Sequence, residues 1–157
     1  MRPFGLTVLR LCVGAVFIAH GAQKLFGIWG GPGLAGTAAM VGSLGLPISF
    51  PYPIAIVLAL TEFVGGIFLI LGGLTRWISL ALAVVMGVAI WKVHYTHGFF
   101  MNWAAEPGRG HGVEFTLVLL AALLCLSLSG PGGLSIDEWR SQSAEAEARG
   151  RARMRKV

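Results

Sequence analysis

Four long apolar segments constrain this chain more than anything else in it: residues 7–26, 52–74, 77–95 and 113–128. Each approaches the roughly 17 to 25 residues that cross a bilayer, the last being short at its cytoplasmic end. In hydrocarbon the backbone must satisfy its own hydrogen bonds, which an α-helix does within a single segment. The composition agrees, because 55% of the residues are hydrophobic and only 12% are charged, so a water-soluble domain could not solvate the surface. The expected fold is an all-α membrane protein, a bundle of four transmembrane helices. The 157 residues suit one domain: a membrane domain over 1–136 and a basic, partly disordered cytoplasmic tail over 137–157.

Charge placement predicts the orientation. Arg2 precedes the first span, Arg76 lies in the tight turn between the second and third, and Arg140, Arg149, Arg151, Arg153, Arg155 and Lys156 crowd the tail. The loop 27–51 has no charged residue, and the loop 96–112 has Glu106 and Arg109. The positive-inside rule therefore places both termini in the cytoplasm of a bacterial-type plasma (inner) membrane. The net charge of +5 reads as this topology signal and not as a nucleic-acid footprint. Arg2 followed by an apolar run resembles a signal peptide, but Arg10 interrupts the run and the other spans need a partner. The first segment is therefore read as a membrane helix.

The uncharged loop 27–51 is rich in Gly and Pro. Thr37 is expected to cap a short interfacial helix that Gly45 and Pro47 end, and Pro47, Pro51 and Pro53 fix the approach to the second span. Beyond Ser135 the chain is expected to form a frayed surface helix and then disorder.

Ionisable residues inside the spans mark a functional interior, because charge in hydrocarbon is expensive. At about 100° per residue, Arg10, Gly14, Phe17, His20 or Gly21, and Lys24 form one inward stripe. At about 1.5 Å per residue, Arg10 lies roughly 10 Å from the cytoplasmic boundary and Glu62 roughly 16 Å from the outer one. An Arg10–Glu62 ion pair across the bundle is the expectation. The outer third also gathers His20, Lys24, Lys92, His94, His97, His111 and Glu114. Such convergence suits a polar headgroup, although Lys24 and Lys92 could snorkel to the interface and His97 and His111 could be simple loop residues.

Metal binding is the sharper alternative, since His94-x-x-His97 and His111-x-x-Glu114 supply four potential ligands for zinc, copper or nonheme iron. Bis-histidine haem through His20 and His94 is another. Neither a metal nor haem is assigned. Cys12 and Cys125 are single and are expected to be buried apolar cysteines, with no C-x-x-C pair for disulfide exchange.

Several motifs together resemble the DoxX family of small four-span membrane proteins: Arg10 with His20-Gly-x-x-Lys24-Leu-Phe-Gly, then Gly31-x-Gly33-x-x-Gly36-Thr-Ala-Ala, Ser43-Leu-Gly-Leu-Pro, Glu62-Phe-Val-Gly-Gly, Gly72-x-x-Thr75-Arg76, and Val93-His94 before Gly98-Phe-Phe. The resemblance covers residues 7–136. It implies polar site positions at Arg10, His20, Lys24, Glu62, His94 and Glu114, and leaves His97, His111 and the tail after Trp139 outside the pattern. The family is named through similarity to the small subunits of an archaeal thiosulfate:quinone oxidoreductase. The resemblance thus implies a membrane subunit that binds a quinone-like amphipath and takes part in redox chemistry, including sulfur-compound oxidation. His20, Lys24, His94 and Glu114 would hold the headgroup, Glu62 would exchange protons and Arg10 would tune Glu62. The chain carries no flavin, nicotinamide or iron–sulfur signature, so electrons would come from a partner protein or a small reductant. The alternative is a noncatalytic membrane assembly or transport factor, and a homo-oligomer stays open.

Overall fold

The structure, a computed structural model, describes residues 4–47 and 49–154, the side chain of Arg153 excepted. Arg2, Arg155 and Lys156, which carry part of the charge asymmetry, lie outside the described residues. Six α-helices are described: α1 (Phe4–Phe26), α2 (Gly33–Ser43), α3 (Pro51–Leu71), α4 (Thr75–Ala89), α5 (Glu114–Ser129) and α6 (Ile136–Met154). α4 continues without a break through a π turn, Ile90–His94, and a 3-10 turn, Tyr95–His97. The stretches Phe4–Phe26, Pro51–Leu71 and Thr75–His97 are long and apolar enough to cross a membrane. α5 has 16 residues, about 24 Å at 1.5 Å each, and is the short fourth span.

Local chemistry sets the ends. Pro51 and Pro53 occupy the first turn of α3, where a missing N–H costs nothing. Gly72, at φ 68°, ends it in the left-handed conformation that favours glycine, with its N–H on Leu69 O at 3.1 Å. α4 begins on a carboxylate borrowed from far along the chain. The Leu74 and Thr75 N–H groups donate to Asp137 Oδ1 and Oδ2, each at 2.8 Å, placing negative charge on orphan donors at the positive end of the helix.

α1 and α3 pack antiparallel, backbone against backbone. A Cβ on Gly21 would collide with the backbone of Phe63, and one on Gly66 would sit 2.7 Å from Gly14 O. Small residues permit such close approach between membrane helices, where packing drives association. Behind this seam Val13, Phe17, Leu69, Leu82, Met86, Leu119 and Leu123 form the core that joins α4 and α5 to it.

One end of the bundle is tied by arginines. Arg10 is 1% exposed. Its Nη1 donates to Leu69 O and Ile70 O, both at 2.9 Å, and its Nη2 to Leu134 O at 3.0 Å and Gly133 O at 3.4 Å. Arg76 Nη1 donates to Leu128 O at 2.8 Å and Ser127 O at 3.3 Å. The two guanidinium groups thus satisfy the last carbonyls of α3 and α5, which have no partner within their own helices.

Two expectations change. Thr37 does not cap α2: the helix starts at Gly33, and the Thr37 hydroxyl donates to Gly33 O at 2.7 Å inside it. Cys12 and Cys125 are exposed on the outside of the bundle, not buried. The tail is a helix from Ile136 to Met154, with i,i+4 pairs Arg149–Glu145 and Arg151–Glu147 along it, and residues 155–157, part of the expected disordered end, lie outside the described residues.

Candidate functional site

At the end opposite Arg10, the helices part around a cavity of about 630 Å³, within the range of pockets that take small organic ligands. Its wall is almost entirely hydrocarbon, from Phe17, Val41, Leu58, Val85, Met86 and Leu119 among others. The polar groups on it are few: His20 and Lys24 from α1, Glu62 from α3, His94 from the π turn, His111 from the loop before α5, and Thr116 from α5, whose hydroxyl donates to Val113 O at 2.9 Å.

Glu62 is 2% exposed and forms an ion pair with Lys24 Nζ, whose side chain is 19% exposed. The expected Arg10–Glu62 pair is therefore absent. The cause is the antiparallel register set where Gly21 meets Phe63 and Gly14 meets Gly66. That register puts Glu62 level with Lys24 and the end of α3 level with Arg10. Arg10 stands fourteen residues, about 21 Å, from Lys24 along α1, so the depth count from the span ends places Glu62 too near Arg10. Lys24 does not snorkel away; it turns inward to the carboxylate.

The histidines are held in definite tautomers by their backbone partners. His20 Nδ1 lies 2.9 Å from Val16 O, and His94 Nδ1 lies 2.8 Å from His111 O. A carbonyl only accepts, so in both rings Nδ1 carries a proton, and in the neutral form of each ring Nε2 is the acceptor. His111 is the opposite case, because its Nδ1 accepts the Asn102 N–H at 3.2 Å and its proton therefore sits on Nε2. The His20 ring also stacks on Phe115 with centroids 6.3 Å apart. The cavity thus presents two imidazole acceptors, one imidazole donor and a neutral ion pair on an apolar wall.

The loop behind His111 is organised by the buried side chain of Asn102. Its Nδ2 donates to Glu106 O at 3.0 Å and Arg109 O at 2.8 Å, and its Oδ1 accepts from Glu106 N at 3.0 Å. Glu114 belongs to this loop framework and is not on the cavity wall, for its Oε2 accepts the Met101 N–H at 3.1 Å. Lys92 lies over the Trp91 ring at 4.1 Å, also off the wall. The His97 ring packs on Gly110, where no Cβ could fit. Among the described residues no three His, Cys, Asp or Glu side chains gather as metal ligands, so His94, His97, His111 and Glu114 do not converge as a four-ligand site.

Sequence reasoning leaves His111 among the loop residues. The hydrogen bond that carries its ring to the cavity comes from a backbone N–H nine residues away, which leaves no motif. The π turn under His94 is similarly silent in the hydropathy pattern. Such turns add a residue to a helical turn and rotate the chain beyond it, and they recur at functional sites.

Comparison with known proteins covers most of the chain. It is 32% identical over 133 residues, 85% of this chain and 84% of the other, to "Putative oxidoreductase CatD" of Bacillus subtilis. It is 31% identical over 137 residues to the inner membrane protein YqjF of Escherichia coli, covering 87% of this chain and 92% of that one. The inner membrane protein YphA of the same organism is 28% identical over 139 residues, covering 87% and 90%. No solved structure matches the chain. The DoxX profile matches residues 5–95, the segment that supplies Lys24, Glu62, His20, His94 and the glycine seam that aligns them. The protein is a membrane protein of the DoxX family.

Proposed function

We propose that the cavity receives the ring of a quinone or quinol and that the protein takes part in membrane redox chemistry. One observation carries the reading: the buried Lys24–Glu62 pair stands on the wall of a largely apolar cavity beside His20, His94 and His111. A buried ion pair incurs a desolvation cost that hydrophobic residues would avoid, and within a membrane such charges mark ligand or proton pathways. A quinone supplies two-electron chemistry coupled to two protons, with electrons coming from a partner protein or a small reductant such as a sulfur compound.

The residues suit that task. Lys24 can donate to a ring oxygen while Glu62 balances its charge, and a proton that Lys24 gives to a reduced ring leaves the pair with one negative charge until a proton from outside the cavity replaces it. Neutral His20 and His94 accept from hydroxyls at Nε2 and, once protonated there, donate to carbonyls. His111 donates from Nε2 without changing charge. Arg10 acts on the framework that holds α3 and does not reach the ring. Glu114 likewise positions the loop that carries His111. The arginine-tied end faces the cytoplasm in this reading. A reporter fused after Val157 should then be cytoplasmic and one near Gly33 exterior; reversed signals would overturn the orientation.

Binding tests the function. The wild type should retain endogenous quinone on purification, or bind an added decyl-tailed benzoquinone. His20→Ala and His94→Ala should each weaken this by at least about tenfold, equivalent to about 1.4 kcal/mol, with helicity unchanged. His97→Ala should leave it unaltered, because that ring packs on Gly110. A wild type that binds no quinone overturns the reading. Bound quinone that no reductant turns over identifies a noncatalytic assembly or transport factor.

A further inference from the structure

The cavity is open sideways. On α4 the residues exposed on the bundle surface follow a helical stripe, Trp77, Leu80, Val84, Val88 and Trp91, and on α3 another, Ile54, Val57, Leu60, Val64 and Phe68. These are the faces turned to lipid. Yet Ile54, Val84 and Val88 also line the cavity, at 43%, 62% and 39% exposure. Residues of both lipid-facing stripes therefore form part of its wall, the arrangement expected of a cavity that reaches the membrane between α3 and α4.

A second depression of about 410 Å³ lies on the same seam, lined by Leu60, Thr61, Val64 and Gly65 of α3 and Ile78, Ala81 and Leu82 of α4. Because α3 and α4 form an antiparallel hairpin across the short turn at Gly72–Leu74, residues 60–65 and 78–82 are level with each other. They adjoin Glu62 and Val84 on the cavity wall. The depression shares no lining residue with the cavity and lies next to it along the seam, toward the arginine-tied end. Its lining is apolar apart from Thr61, whose hydroxyl already donates to Val57 O at 2.7 Å. Gly65 contributes no side chain, which leaves the trough its width.

We infer that the ligand enters from the bilayer between α3 and α4 and binds with its ring at Lys24–Glu62 and a long hydrocarbon tail lying in the trough formed by Leu60, Val64, Gly65, Ile78 and Ala81. This deepens the proposed function and rests on it, assigning the ligand to the class of lipid-soluble, long-tailed amphipaths. Lipid tails are as apolar as the trough, so the trough adds little affinity; it supplies room. Filling it should therefore exclude tailed ligands selectively.

The experiment compares a decyl-tailed benzoquinone with the same ring lacking the tail, on wild-type protein and on the trough variants Ala81→Trp and Gly65→Leu in lipid nanodiscs. Each variant should weaken binding of the tailed compound by at least about tenfold while the tail-less ring changes less than about twofold. A tailed quinone bearing a diazirine near the end of its tail, photolysed on the wild type, should label α3 and α4 between residues 60 and 82 and needs no variant to fold. Labelling of α1, α2 or α5 instead, or equal losses for both compounds in folded variants, overturns the lateral route while leaving the quinone site standing. Failure of the wild type to bind either compound overturns both.

Discussion

The Lys24–Glu62 pair makes the most decisive stability prediction, because its two partners are unequally buried. Removing Lys24 as Lys24→Met strands a carboxylate that is 2% exposed, and stranding one partner of a buried pair costs about 3 to 5 kcal/mol. The carboxyl can recover part of this by taking up a proton. Removing the acid as Glu62→Gln leaves an ammonium whose side chain is 19% exposed. The long aliphatic stem lets that ammonium turn toward the cavity mouth, so the cost should be smaller, about 1 to 3 kcal/mol. The double variant Lys24→Met/Glu62→Leu removes both charges and should return to within about 1 kcal/mol of the wild type, since hydrophobic replacements of buried pairs are often neutral or stabilising. A double-mutant cycle of denaturant unfolding in mixed micelles reads these values directly. Both single variants lying within about 0.5 kcal/mol of the wild type, or a double variant equal to the sum of the singles, would refute the pairing and the register behind it.

The same geometry sets three other expectations. Arg10→Ala abandons four backbone carbonyls and should cost about 3 to 5 kcal/mol, with Arg10→Lys intermediate because an ammonium cannot span both pairs of acceptors; equal stability of the two variants in detergent melting would contradict the fork. Gly21→Leu should force α1 off α3 and abolish both folding yield and quinone retention, whereas Gly5→Leu, with open space around it, should be tolerated; a folded, quinone-loaded Gly21→Leu protein would disprove the close seam. Asp137→Asn keeps the shape of the α4 cap but loses its charge and should cost about 1 kcal/mol, while Asp137→Ala should cost up to about 2 kcal/mol; amide hydrogen exchange at Leu74 and Thr75 should rise in that order.

The spans and the polar positions were legible in the sequence because both are local. Hydropathy depends on the transfer free energy of each stretch of about 20 residues into lipid, and a Glu62 or His20 within such a stretch advertises itself by its cost. The shortness of α5 and the helix in the loop after α1 were visible for the same reason. The sequence by itself therefore determined a helical membrane bundle, its family and the residue types at one end of its interior.

Who meets whom was decided only in three dimensions. Glu62 takes Lys24 and not Arg10 because the glycine contacts fix how α1 lies along α3, and the fourteen residues between Arg10 and Lys24 span about 21 Å of helix, far beyond the reach of a side chain. Asp137 reaches back across more than sixty residues to cap α4, and Asn102 turns His111 into a fixed donor, through backbone groups that every residue possesses and no motif records. The opening between α3 and α4 likewise depends on how far apart two antiparallel helices stand. Transfer energies add residue by residue, whereas register, tautomer and cavity shape arise from packing the whole bundle at once.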